Sequence, residues 1–354
     1  MFIRKVSLFL AIIMIFTFFT GCSKPADNTP SDIPAAADTT QNTDTNDTSA
    51  EPSSDETAAD VYVDSVAVTE SADKTIAPIL TKTAAPIPDI LEPAAPGELV
   101  EQNDRVIIDY SNASDGYIMV LFTDETPTRL KTQVVGPYTT YTYNLTPGEW
   151  SVFPLTDGNG NYQFKIFENV SGNSYYIVLG ASAHVELEDE FAPFLRPNQY
   201  VNYGVSSNAV AKAQELCGHI GNPLEKVEAV YNYVVNTLTY DYDKAANVKS
   251  GYVPVLDTIM ETQKGICFDY AALMTGMLRS QGVPCKMVFG YAGNAYHAWI
   301  SVWSDDEGWV DGAIFFDGTT WHRLDPTFAS SADKSDAIMQ YIGDGSNYTE
   351  KYFY

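Results

Sequence analysis

Hydrophobic patterning changes character several times along the 354-residue chain. An apolar run, Val6 to Phe19, follows Arg4 and Lys5. It falls short of the ~20 residues a spanning helix needs and has the basic flank of a secretion signal, predicting a signal peptide over 1–22. From 23 to 97 the pattern vanishes: Ala, Thr, Pro, Ser and Asp dominate, with Tyr62 the only aromatic. Such a stretch buries too little apolar surface to offset the entropy of ordering, which predicts a disordered, self-repelling tether. Period-two alternation then runs from 98 to 190, in segments 106–110, 117–122, 130–135, 138–145, 150–155, 162–167 and 175–179. Turn signals such as Gly136-Pro137 and Pro147-Gly148 part them. Seven short strands at this spacing predict an all-β, immunoglobulin-like sandwich.

After Ser206 the period becomes helical. One helix is predicted over 208–217. The next opens at Asn222-Pro223 with Glu225, a capping residue, a first-turn proline and an acid at the positive end. Its Leu224, Val227, Tyr231, Val234 and Leu238 share a face. A third spans 266–281, stopped by Gly282 and Pro284. Strands are expected at 286–291, 296–303 and 320–325. Helices followed by strands make residues 191–354 an α+β domain.

Charge narrows the function classes. With 46 acidic and 20 basic residues the net charge is −26, which disfavours nucleic acid because phosphate binding relies on clustered Lys and Arg. Phe19-Thr20-Gly21-Cys22 resembles a bacterial lipobox, which implies lipidation of Cys22 and anchoring of the tether at the outer face of the membrane. The other cysteines are Cys217, Cys267 and Cys285; a 217–285 disulfide and two buried thiols are both open. Asp157, Asn159, Asn161 and Glu168 occupy calcium-loop positions, yet Tyr162 stands where the turn glycine belongs, so a polar hairpin is the reading. His184, His219 and His322 have no catalytic context. Zinc lacks a fourth ligand and any CxxC or HxxxH pair, and no cofactor is implied.

Gly265-Ile266-Cys267 places a cysteine at the first turn of a helix, where the positive end of the macrodipole favours thiolate. A backbone N–H there, that of Cys267, is free to become an oxyanion donor. Gln263, Tyr240 and Tyr252 are candidates for a second. Thirty residues on, Tyr296-His297-Ala298-Trp299 opens a strand, and Leu324-Asp325-Pro326-Thr327 closes another. Adjacent antiparallel strands would present His297 and Asp325 together, facing the helix tip.

These motifs, with Leu278-Arg279-Ser280-Gln281-Gly282-Val283-Pro284 between them, are similar to the transglutaminase-like superfamily, whose members share a papain-type core with the order Cys, His, Asp. The resemblance covers about 222–328. It implies Cys267 as nucleophile, His297 as general base and acid, and Asp325 as the orienting carboxylate. The expected function is a surface-anchored thiol enzyme acting on amide bonds of extracellular protein, peptide or cell-wall material, as peptidase, amidase or transglutaminase. The alternative is a catalytically silent binding or scaffold module on the same fold.

Overall fold

The computed structural model describes residues 89–293, 295–305, 308–311, 314–316, 321–323 and 348–354. The signal peptide, Cys22 and the tether up to residue 88 lie outside the described residues, as does Asp325.

Eight strands form the first unit: β1 (Val100–Gln102), β2 (Val106–Asp109), β3 (Tyr117–Phe122), β4 (Leu130–Val135), β5 (Thr140–Leu145), β6 (Trp150–Pro154), β7 (Gly160–Ser171) and β8 (Ser174–Val185). They pair antiparallel in two sheets, β1-β2-β3-β6 and β5-β4-β7-β8. Alternation decides which side is buried: Leu130, Thr132 and Val134 of β4 point inward, as do Tyr162, Phe164 and Ile166 of β7. Tyr143 of one sheet meets Phe153 of the other at 4.7 Å between ring centroids, so the sheets pack face to face.

A constant-type immunoglobulin domain opposes strands one, two, five and four to strands three, six and seven. Here the first three strands stay together in one sheet. The sandwich expectation therefore holds for the layers, while the immunoglobulin-like strand order is corrected. Asp157 accepts the N–H groups of Tyr138 (2.9 Å) and Thr139 (2.6 Å), and Glu168, eight residues along β7 from Gly160, is bound to Arg105. The end of the predicted tether is docked, not loose. Ala94 N–H donates to the Tyr117 hydroxyl (3.0 Å), Gly97 N–H to Asp109 (2.7 Å), and Glu92 accepts from Val205 N–H (3.1 Å).

The second unit contains α1 (Asn208–Cys217), α2 (Pro223–Thr237), β9 (Thr239–Tyr240), α3 (Tyr242–Asn247), α4 (Leu256–Thr262), β10 (Lys264–Gly265) and α5 (Cys267–Arg279). Then come β11 (Cys285–Ala292), β12 (Ala295–Ser304), β13 (Gly308–Asp311), β14 (Ile314–Phe316), β15 (Trp321–Arg323) and β16 (Tyr348–Phe353). An antiparallel sheet, β13-β12-β11-β16, packs on α5, while β9 and β10 form a short parallel pair. The predicted start of α2 is formed as read, with the Asn222 side chain accepting from Leu224 N–H at 2.8 Å. Every residue of α5 from Phe268 to Arg279 is buried, which makes it the central helix.

The two units share one seam. Tyr354, 1% exposed, lies against Tyr141 and Tyr143 of β5, Tyr200 of the connector and Phe289 of β11, with ring centroids 4.9–5.7 Å apart. Tyr200 also reaches Phe268 of α5 at 5.5 Å. The aromatic packing thus runs from the sandwich to the residue beside Cys267. Among the described residues no helix is long and apolar enough to cross a membrane.

Candidate active site

The first turn of α5 is built around a buried carboxylate. Ile266 is extended (φ −96°, ψ 176°) and caps the helix, placing Cys267 at its first position. Asp269, fully buried, folds back to accept the Ile266 N–H at 2.8 Å. Its other partners are the Lys244 ammonium (2.6 Å) and the Tyr252 hydroxyl (2.6 Å), themselves 2.6 Å apart. Gly265 is required by this close packing: a Cβ there would lie 2.5 Å from the Asp269 Cβ. Lys244 is carried by α3, whose start is fixed by Asp241 accepting the Lys244 N–H at 2.9 Å.

Within α5, Cys267 alone is not buried. Its backbone N–H and that of Phe268 are in the first turn, where a helix offers no carbonyl to bond them. Cys217 and Cys285 contrast with it: both are free and buried, and loss of water pushes each thiol up to about 11. Of the two readings left open for this pair, the separate buried thiols are the ones found.

The three oxyanion candidates separate cleanly. Tyr252 is spent on Asp269. Gln263 caps α4 in a left-handed conformation (φ 54°); its backbone carbonyl takes the Thr239 N–H, and the residue is exposed. Tyr240 remains: it pairs with Gly265 in the parallel β9–β10 register, next to the cysteine turn. Burial first, then the neighbouring Cys267 charge, hold its phenol protonated well above the usual range. Tyr296 is held up in the same way, with Cys267 among the smaller contributors.

His297 lies on β12, 6% exposed, opposite Gly290 of β11. Its ring stacks along Trp299 (6.1 Å) and meets Tyr348 (6.4 Å). Phe289 and Ala298 are direct partners in this ladder, and Phe289 touches Phe268 of α5 at 4.9 Å. Side chains alternate along a strand, so Tyr296 and Ala298 share a face with Phe289, and His297 shares one with Trp299. Gly290, opposite His297, is obligatory, because a Cβ there would run into the Thr349 carbonyl and, at 2.6 Å, the Trp299 ring.

Sequence reasoning missed Lys244 and the role of Asp269. The only local signal was an acid two residues after the cysteine; its partner comes from a short helix without a clear period.

Residues 210–312 match the core domain described as the Transglutaminase-like superfamily. Among curated proteins, the chain is 29% identical over 108 residues to the uncharacterized protein YebA of Bacillus subtilis, covering 25% of this chain and 15% of that one. It is 25% identical over 107 residues to a protein-glutamine gamma-glutamyltransferase of Pseudomonas aeruginosa, covering 26% and 14%. The match therefore spans about a seventh of either relative. Among solved structures, red sea bream transglutaminase aligns over 64% of this chain and 53% of its own, at 16% identity and a TM-score of 0.25.

Proposed function

We propose that this protein is a thiol acyl-transfer enzyme acting on amide bonds outside the cell. Cys267 is the nucleophile, and His297, oriented by Asp325, is the base and acid. The observation that carries the reading is a half-buried cysteine sulfur at the first position of an otherwise buried helix, inside a transglutaminase-like core. The thiolate attacks an amide carbonyl and the C–N bond breaks as the imidazolium protonates the departing amine. The resulting thioester is resolved by water, in a peptidase or amidase, or by a primary amine, in a transglutaminase. The Cys267 N–H and the Tyr240 hydroxyl serve the oxyanion. The imidazole–sulfur hydrogen bond belongs to the substrate-bound state, since such contacts are often long in the free enzyme. The lipobox-like Cys22 and the acidic segment behind it suggest a protein held at the outer face of the membrane by lipid, with extracellular protein, peptide or cell-wall polymer as substrate.

The alternative is a silent module on the same fold, which binds such a polymer without cleaving it. One experiment separates them: ammonia release and amine incorporation from glutaminyl peptides, with peptide cleavage followed in parallel. The enzymatic reading predicts turnover that Cys267→Ala abolishes and His297→Asn lowers at least about a thousandfold. Binding of peptide or wall polymer without turnover, unchanged in both variants, supports the silent module.

A further inference from the structure

We propose that Lys244 is a positioning residue for the Cys267 nucleophile: its ammonium cancels the charge of the buried Asp269 carboxylate, letting that carboxylate fasten the first turn of α5 without opposing ionisation of the thiol. The inference rests on the reading of Cys267 as the nucleophile and deepens it.

A carboxylate two residues from a reactive sulfur is an awkward neighbour. Like charges at this range raise the cost of forming the second one, most of all where water is excluded. Asp269 is 0% exposed, so solvent does not screen it. Its placement nevertheless has a use, because it accepts the Ile266 N–H and holds the turn that aims Cys267 and its backbone N–H. Lys244 reconciles the two demands. Its ammonium is 2.6 Å from Asp269 and from the Tyr252 hydroxyl, while its side chain stays 25% exposed, so the cation keeps part of its hydration. The pair presents nearly no net charge to the sulfur, and the partial positive end of α5 then acts unopposed.

The other titratable groups around this turn are Tyr240 of β9, Asp241 at the cap of α3, Tyr242 of α3, Tyr252, Lys264 of β10, Tyr270 of α5, and Tyr296 and His297 of β12. Burial keeps Tyr240, Tyr252 and Tyr296 neutral well past their ordinary range. Lys264 is exposed and screened, while the Lys244 ammonium is in direct contact with the Asp269 carboxylate. Lys244 is thus the cation placed to balance Asp269.

The test is the pH dependence of iodoacetamide alkylation at Cys267 in the full-length protein, read by peptide mass spectrometry, with thermal melts and amide turnover from the same preparations. Lys244→Met is expected to move the alkylation midpoint up by about one pH unit, an about tenfold loss of rate at neutral pH, with the alkaline plateau unchanged. Lys244→Arg should stay within about twofold of the parent. The double variant Lys244→Met/Asp269→Asn removes both charges and keeps an acceptor for Ile266, and should return close to the parent profile. Replacing a buried ion pair by neutral groups is commonly tolerated, so the double variant decides the matter even if Lys244→Met alone does not fold. A Lys244→Met profile that overlays the parent overturns the proposal. So does a double variant with its midpoint raised, because lysine would then act on the sulfur directly. Turnover without the shift defeats only the role of Lys244; the shift without turnover defeats only the enzymatic reading.

Discussion

At the scale of single residues, reactivity divides the cysteines by what surrounds them. Cys217 and Cys285 are buried thiols pushed up to about 11, whereas Cys267 opens to solvent at a helix start. In native protein at pH 8, a thiol reagent should label Cys267 at least about a hundredfold faster than Cys217 or Cys285. Peptide-resolved mass spectrometry checks this, and comparable rates at all three would refute the contrast. Tyr240 is the second residue with a sharp expectation. If its hydroxyl serves the oxyanion, Tyr240→Phe should lower kcat about a hundredfold and leave KM within a few-fold, a split that steady-state kinetics reads directly.

At the scale of elements, α5 depends on a glycine that no helical pattern demands. Adding a Cβ at residue 265 forces Asp269 aside, so Gly265→Ala should cost about 1–3 kcal/mol by chemical denaturation. Because the Ile266 N–H loses its acceptor, activity should fall further than stability does. Full stability with full activity would show that the turn tolerates another arrangement. Legibility in the sequence follows the range of the interactions. The start of α2 was readable because Asn222, Pro223 and Glu225 act within one turn, and most strands of the sandwich alternate over their own length. β9, β10 and β16 were not: β9 and β10 are two residues each, and β16 exists only through pairing with β11, about sixty residues earlier. Which face of β12 each side chain takes is not legible locally either. A one-residue difference in register exchanges Tyr296 and His297 across the sheet, and nothing local in Tyr296-His297-Ala298-Trp299 fixes it.

At the scale of the whole molecule, the sandwich and the core are joined through aromatic side chains and a few backbone acceptors. Arg279 is the plainest case: buried, it donates to the carbonyls of Cys285 (2.9 Å), Arg196 (2.7 Å) and Tyr354 (2.6 Å), tying α5 to the connector and the last strand. Tyr200→Ala should then cost about 3–5 kcal/mol and lower one shared melting transition; two separate transitions in the parent would contradict a common seam. Acid should act on the sandwich first. Hydrogen bonds from Arg105, then Thr128 and Tyr176, hold the Glu168 carboxyl at about 2 instead of its ordinary 4.5. A lowered folded-state value means that this contribution is complete above the ordinary value and is lost as pH falls toward about 2. Tm should therefore decline through that window, and the decline should be shallower in Glu168→Gln.

The central claim is that Cys267 becomes acylated. Incubation of the protein with a glutaminyl peptide, followed by acid quench and mass spectrometry, tests it most directly. The account predicts a thioester on Cys267, with release of ammonia or of the peptide's leaving amine, discharged by added amine or by water and absent in Cys267→Ala. Bound peptide with an unmodified sulfur, under conditions where iodoacetamide still reaches it, would contradict the account.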